Sequence, residues 1–399
     1  MVQVKSKFVR ASAVFSLASR PVERKFDRLL HDARAAWCAH FGPPLQIVSD
    51  TPAILEKKAI RAAAQTVWNN PLEYAFYGSA ARPATVEHDE ALVYRIADIS
   101  ITGSEALMFT GPHTLLRLDS SQTEISPRKV RRPIDWRARR INGPVLPLGG
   151  RGTGNRGHFL CEHLPRLLLA RERLGVGFPL KMLLTPGHAA WQIEYLVRLG
   201  EDPKRVVEGS RGTVFCPEVW FVPNLSKGST VELYEAGVYR EIARRFKIGI
   251  APRRKDRRIF ATRKDAPSRR LLNEDEVFAV FRGAYPDLER VSMSGMSLQE
   301  QITLFSEACV VVGAHSQAFR NVLYCEGALA IQLVPGTRTP DNEYLPWAIN
   351  YERLGLIHSN RPLSLYSGQP YREGDWVFPL DDLRRAIDRL RTLPEATTG

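Results

Sequence analysis

Three short stretches of this chain carry residue types at spacings that could do chemistry. In His158-Phe-Leu-Cys-Glu162, with Arg166 one further turn on, a helix would set the three polar side chains on one face. A carboxylate there can hold an imidazole in one tautomer and raise its basicity, as a general base requires. In Thr262-Arg-Lys-Asp-Ala-Pro-Ser-Arg-Arg270, Arg263 and Arg269 follow an apolar stretch that reads as a strand. Guanidinium groups suit a diphosphate because their fork is planar and permanently charged. In Val310-Val-Val-Gly-Ala-His-Ser-Gln-Ala-Phe-Arg-Asn321, a buried strand runs into a glycine turn and a helix start. His315, Ser316 and Asn321 then stand where backbone N–H groups meet a phosphate or a sugar. Each stretch also has a plainer reading: a salt-bridged surface helix, a basic surface turn, and a satisfied core histidine.

The elements that must hold these residues are clearest after Arg258. Arg258–Thr262, Leu288–Ser292, Cys309–Val312 and Ala330–Val334 read as strands. Between them, Asn273 with Glu276 and Ser297 with Glu300 read as capping boxes that open helices, and Gln317–Glu326 reads as a helix ended by Gly327. Strands alternating with single helices predict a parallel sheet with right-handed crossovers. The first half is less regular. Ile54–Val67 reads as a helix, and Ala91–Ile96 and Glu105–Phe109 as strands. Lys181–Thr185 and Val219–Pro223 suit a second α/β unit. The glycine-rich run Gly149–Gly157 lets backbone approach a ligand closely before the helical stretch His158–Ala170. Inside that stretch Pro165 cannot donate its backbone bond, so the Cys161 carbonyl is left over or the helix restarts. Asp381–Leu393 is an amphipathic helix.

The chain has 399 residues, 44% of them apolar, enough for two domains with substantial cores. Its net charge of +13 favours anionic partners. The basic runs Arg128–Arg140 and Arg253–Arg258 lack regularly spaced aromatics and any nucleic-acid motif, which argues against nucleic acid. Cys38, Cys161, Cys216, Cys309 and Cys325 lie far apart without CxxC spacing, as buried free thiols in a reducing compartment would. The segment Lys5–Arg20 imitates a signal peptide only weakly, and no run reaches a membrane span. A cytoplasmic protein is expected, and the basic surface leaves peripheral contact with the inner membrane open. DxD, HExxH, Walker A and GxSxG patterns are absent, so no metal site is expected; Glu274 and Glu276 read as helix-start acids.

At these residues the chain resembles glycosyltransferase family 61, which includes bacterial capsular polysaccharide biosynthesis proteins. The resemblance is carried by Asn155-Arg-Gly-His-Phe-Leu-Cys-Glu-His-Leu-Pro-Arg-Leu-Leu-Leu169, then by Arg258–Asn273 with its Ser-Arg-Arg-x-x-Asn ending. It closes with Ser297–Ala308 and the loop from Gly313 to Asn321. It spans about Gly149–Gly336. Two departures stand out: Ser316 where the family has glycine, and Gln332 where it has a glutamate suited to a nucleotide ribose. Gln332 can still accept a hydrogen bond but brings no charge.

The resemblance implies an α/β, GT-B-like architecture, two Rossmann-like domains facing a cleft. On that plan residues 1–250 form an acceptor-side domain, with 1–140 poorly defined. Residues 251–350 form the nucleotide-sugar domain, and 351–399 a closing segment that packs back on the first domain. His158 and Glu162 would be catalytic, with Asn155 and Arg166 beside them on the acceptor side. Arg263, Arg269, His315, Ser316, Asn321 and Gln332 would bind the donor. The implied reaction is metal-independent, inverting transfer from a nucleotide sugar, a UDP-sugar, to a glycan or lipid-linked acceptor in capsule, lipopolysaccharide or exopolysaccharide assembly. No cofactor is implied beyond that donor. The alternative is a non-catalytic nucleotide- or glycan-binding protein on the same fold.

Overall fold

The computed structural model describes residues 45–393, apart from 63, 68–69, 78–84, 89, 104–105, 119–132, 134–137, 151, 189, 211, 224–232, 253, 340–341, 343–344 and 370–373. The signal-like segment Lys5–Arg20, Cys38 and most of the run Arg128–Arg140 lie outside the described residues.

The second half is a five-stranded parallel sheet. Its strands, in spatial order, are Leu288–Val291, Arg257–Ala261, Ala308–Ala314, Leu329–Val334 and Arg361–Tyr366. Numbered along the sequence this is the doubly wound order 2-1-3-4-5, whose direction reverses between the first and third strands. Both central strands are apolar except for Gln332, because helices cover both faces. The ends of Arg257–Ala261 and Ala308–Ala314 approach closely. A side chain at Gly313 would come within 2.6 Å of the Ala261 carbonyl. The crevice outside these strand ends is where such a sheet binds ligands.

The expected strands and helices of this half are present, with two differences. The Ser297–Glu300 capping box forms. The one at Asn273 does not, because the Asn273 amide is used across the fold: it donates to the Phe378 carbonyl at 2.8 Å and accepts from the Phe378 N–H at 3.0 Å. After His315 the chain forms a 3-10 helix, Gln317–Tyr324, rather than an α-helix.

The first half is built on a mixed sheet. Its parallel part comprises Pro144–Pro147, Lys181–Leu184, Val206–Glu208 and Thr213–Phe221. The last of these pairs antiparallel with Ala91–Thr102, which carries an antiparallel meander through Leu107–Gly111. The sheet is therefore only partly of the expected Rossmann-like kind. Ile54–Val67 is not a helix. It forms the strands Ile54–Arg61 and Ala64–Val67, the first paired along Ala91–Thr102. Pairing to a long, half-buried neighbour overrides the helix preference of Leu55, Glu56, Lys57, Lys58 and Ala59.

The helices between the two sheets share one continuous apolar cluster. It joins Leu160, Leu167 and Tyr239 from the first half to Ile259, Val311, Phe319 and Tyr324 from the second. One further connection links the halves elsewhere. The early helix Pro71–Tyr77 lies against the edge strand Arg361–Tyr366, with the Tyr77 hydroxyl donating to the Ser364 carbonyl at 2.6 Å. The final helix, Leu380–Thr392, buries Leu383 and Ile387 against the helix Glu274–Ala284. The closing helix thus packs within the parallel-sheet half, and the reaching back is done by the early helix. Its apolar stripe meets Val277 and Phe281 in one cluster that also takes in Phe76.

Candidate functional site

The catalytic-candidate helix starts at Asn155, whose side-chain oxygen accepts from the N–H groups of Gly157 at 2.8 Å and His158 at 3.3 Å. Helical segments Arg156–His158, Phe159–His163 and Leu164–Leu174 then run on continuously, and the middle one is a π-helical turn. A π turn is the expected response to Pro165: with no N–H at that position, the helix widens. The carbonyl of Cys161 is satisfied from outside, accepting from the Tyr239 hydroxyl at 2.8 Å.

This geometry separates the three residues that shared a face on ideal spacing. His158 and Glu162 do meet, Nδ1 of the imidazole against Oε1 of the carboxylate. The imidazole is about a quarter exposed, and the carboxylate is buried beneath it. Arg166 lies beyond the π turn, which changes the helical phase. It is buried in the core, donating to the carbonyls of Val222 at 2.7 Å and Pro147 at 3.1 Å and lying over the Phe221 ring. It is absent from the cavity wall, and its place is the junction of two strand ends.

The His158 ring is held on two further sides. Trp347 meets it edge to face at 4.6 Å. Gly152 lies under it with φ +76°, and a Cβ there would fall 2.6 Å from the imidazole Cγ. The glycine-rich loop is thus packed against the candidate base, and Gly152 is required there both for its φ and for its lack of a side chain.

A cavity of about 680 Å³ brings this helix start together with the ends of the parallel strands. Asn155, His158, Arg263, Arg269, His315 and Ser316 all line it, together with Trp347 and Tyr351. Arg263 directly follows the strand Arg257–Ala261. Its backbone N–H donates to Glu274 at 2.9 Å, and Thr262 donates its hydroxyl to the same carboxylate. Glu274 is fully buried. It is more than a helix-start acid: it anchors the strand end from which Arg263 projects. The Arg263 guanidinium is braced by the Ser268 carbonyl at 3.0 Å. Arg269 is reached through a left-handed backbone, φ +56°, at the turn of the same loop.

His315 follows the strand Ala308–Ala314 at the point of topological reversal. Its Nδ1 pairs with Gln332 Oε1 at 3.1 Å. The Gln332 amide is oriented by two acceptors, the Ala348 carbonyl at 2.8 Å and Ser364 Oγ at 2.7 Å, and Ser364 in turn donates to Glu352. Gln332 must therefore offer oxygen to His315, which makes Nδ1 the donor and leaves Nε2 as an acceptor. Burial pushes the His315 imidazole down to about 4, and the charges of Arg269 and Arg263 act in the same direction. His315 is thus a neutral hydrogen-bonding group beside two cations. Burial also raises Glu352 to about 7.

Of the other expected donor residues, Gln332 and Asn321 stand behind the wall. Gln332 acts through His315, and Asn321 is completely buried, its amide donating to Gln301 at 3.1 Å. A turn that carries the chain away from the crevice places Asn321 on the inner side of the 3-10 helix. Ser316 caps that helix, accepting from the Ala318 N–H at 3.3 Å. The sequence reading missed Trp347 and Tyr351. They stand four apart on the helix Leu345–Leu356 and bridge the two histidines, Tyr351 lying 5.4 Å from the His315 ring. Their four-residue spacing is visible in the sequence, but it adjoins none of the chemistry-bearing stretches.

A crevice lined by two arginines at the carboxyl edge of a doubly wound sheet, faced by a carboxylate-paired histidine, has the residue types that group transfer needs. Residues 157–331 match the family model described as Glycosyltransferase 61. Those residues form a glycosyltransferase family 61 domain, and the protein is a glycosyltransferase. Such an enzyme takes a sugar donor and a glycan acceptor. No curated protein matches the chain. Among the described residues no helix is long and apolar enough to cross a membrane.

Proposed function

We infer that this protein is an inverting, metal-independent transferase that moves a sugar from a nucleoside diphosphate, a UDP-sugar, to a hydroxyl of a glycan or lipid-linked acceptor in surface polysaccharide assembly. It would work in the cytoplasm or at the inner face of the inner membrane. The observation that carries the reading is that His158 and the pair Arg263 and Arg269 line one cavity, although they come from different halves of the chain.

The base in this reading is His158, acting through Nε2, because Nδ1 is committed to Glu162. Glu162 is buried and acts through the imidazole. His158 takes the proton from the acceptor hydroxyl as that oxygen bonds to the anomeric carbon. The bond from that carbon to the diphosphate oxygen breaks on the opposite face, so the configuration inverts. The departing diphosphate gathers negative charge, which Arg263 and Arg269 stabilise. Each charge-assisted bond contributes roughly 1.5–3 kcal/mol, so two or three are comparable in effect with a divalent ion. His315, neutral and presenting Nε2, suits a hydroxyl or N–H of the nucleoside better than a phosphate oxygen.

The test is transfer by the purified chain in EDTA, with the product anomer read by NMR. The expected product has the configuration opposite to that of the donor. A retained configuration overturns the in-line mechanism. Loss of transfer in EDTA with recovery in Mn²⁺ overturns metal independence.

A further inference from the structure

Beside the donor crevice lies a second cavity of about 560 Å³, which shares Met293, Ser294, Gln317 and Ala318 with it. Its wall includes Arg320, a residue only 3% exposed. The hydrogen-bond partners of Arg320 are neutral. One nitrogen donates to the Gln317 carbonyl at 2.6 Å and another to the Tyr195 hydroxyl at 3.3 Å. Its Nε is buried with no hydrogen-bond partner. No carboxylate pairs with Arg320 among the described residues. A buried cation without a counterion is costly, and the cost is removed when an anion arrives.

A second cation lines the same cavity. Arg156, at the start of the catalytic-candidate helix, lies over the Trp191 ring at 5.5 Å and has no carboxylate partner among the described residues. Glu300 is also on the wall, but its carboxylate is committed to the Ser297 cap, accepting from the N–H and the hydroxyl at 2.8 Å each. It sits at the solvent-exposed rim, where water and salt screen it.

Resting on the reading of the first cavity as the donor site, we propose that the second cavity is an acceptor subsite for a sugar bearing an acidic group, held by Arg320 and Arg156. Two arginines already line the first cavity, where the donor reading puts the diphosphate. A separate pair, on a contiguous wall reached from the helix that carries His158, places a second anion on the acceptor side of the same reaction. The group is an oxyanion, and its source is either a uronic-acid carboxylate or a phosphate monoester on the acceptor. Arginine forks serve both.

The experiment is titration of the full chain, with UDP saturating the first cavity, by glucuronate, glucose 6-phosphate and neutral glucose. One or both acidic sugars should bind at least about tenfold more tightly than glucose, the size of one charge-assisted bond. The arm that responds identifies the source. Arg320→Met and Arg156→Ala should each remove about that factor and leave UDP affinity unchanged. If Arg320→Met fails to fold by circular dichroism, Arg156→Ala, a change at the partly exposed wall, decides alone. Equal binding of glucose and both acids overturns the proposal, as does displacement of the acidic sugar by UDP. So does unchanged affinity in the folded variants. Failure of UDP itself to bind removes the functional reading. Titration without UDP would then still test the anion site.

Discussion

The Tyr239 hydroxyl donates to the carbonyl of Cys161 across 78 residues of sequence, at 2.8 Å. That carbonyl is the one that Pro165 strands, so a distant side chain holds open the π turn on which Glu162 is carried. Tyr239→Phe removes the donor while keeping the ring. The stranded carbonyl is buried, so unfolding by urea should show a loss of about 1–3 kcal/mol. Turnover should fall with it, because the π turn sets the direction from which Glu162 meets His158. Unchanged stability would mean that water replaces the phenol.

Gly152→Ala tests the loop that lies under the imidazole. The new methyl meets the His158 ring at 2.6 Å, and the backbone φ of +76° disfavours any side chain. The ring is the part that can move, so kcat should fall at least tenfold, roughly 1.4 kcal/mol of lost alignment. Nucleotide affinity should change little, because the new methyl is aimed at the His158 ring and Arg263 and Arg269 are carried by the other half of the chain. A variant with normal kcat would show that His158 tolerates displacement and is not the base.

His158→Ala and Glu162→Ala should each lower turnover by ~10²–10⁴ with little change in nucleotide affinity. The pair acts as a unit, since the buried carboxylate reaches the acceptor only through the imidazole. The double variant should therefore be little worse than the worse single one. Independent, multiplicative losses measured in the same assay would assign Glu162 a separate role.

The parallel half of the fold was legible because its two central strands are nearly continuous apolar runs and a helix between strands starts at the capping signal of Ser297 and Glu300. Arg263 and His315 could be placed at strand ends for the same reason. The failures have physical causes. Leu55, Glu56, Lys57 and Ala59 favour helix locally, and only pairing with Ala91–Thr102 makes them a strand. Arg166 had the right spacing on an ideal helix, but the π turn changes the phase; Pro165 was the visible warning. Asn273 has the right residue type for a cap, yet Phe378, 105 positions on, competes for its amide. Glu274 read as a local helix acid, whereas its carboxylate reaches across to Thr262 and Arg263. Contacts of this range leave no mark on local pattern.

Arg263→Ala should weaken UDP binding by roughly thirtyfold, about 2 kcal/mol for one charge-assisted contact. Lys264→Ala is the control. Its neighbouring ammonium points to Asp275, at 2.6 Å, and does not line the cavity. Calorimetric titration of both variants separates a specific contact from loss of basic charge. Equal losses in the two would reduce Arg263 to part of a diffuse field.

His315 makes a prediction about acid stability. Burial holds its imidazole near 4 in the folded chain, with Arg269 and Arg263 adding to the effect, while the unfolded chain has the ordinary value of about 6.5. Between those values the unfolded state binds one proton more than the folded state. Stability therefore falls as the pH drops from about 6.5 towards 4, and rises in the opposite direction. His315→Gln keeps a donor for Gln332 and removes the titration. Its unfolding free energy should decline less over that window, by up to about 1.4 kcal/mol per pH unit. His358, which burial also lowers to about 4, is present in both chains and cancels in the comparison. Urea unfolding at a series of pH values reads the difference directly. Parallel curves for the two chains would show that His315 titrates normally, and with that the neutral, Nε2-accepting imidazole assigned to the donor crevice would be lost.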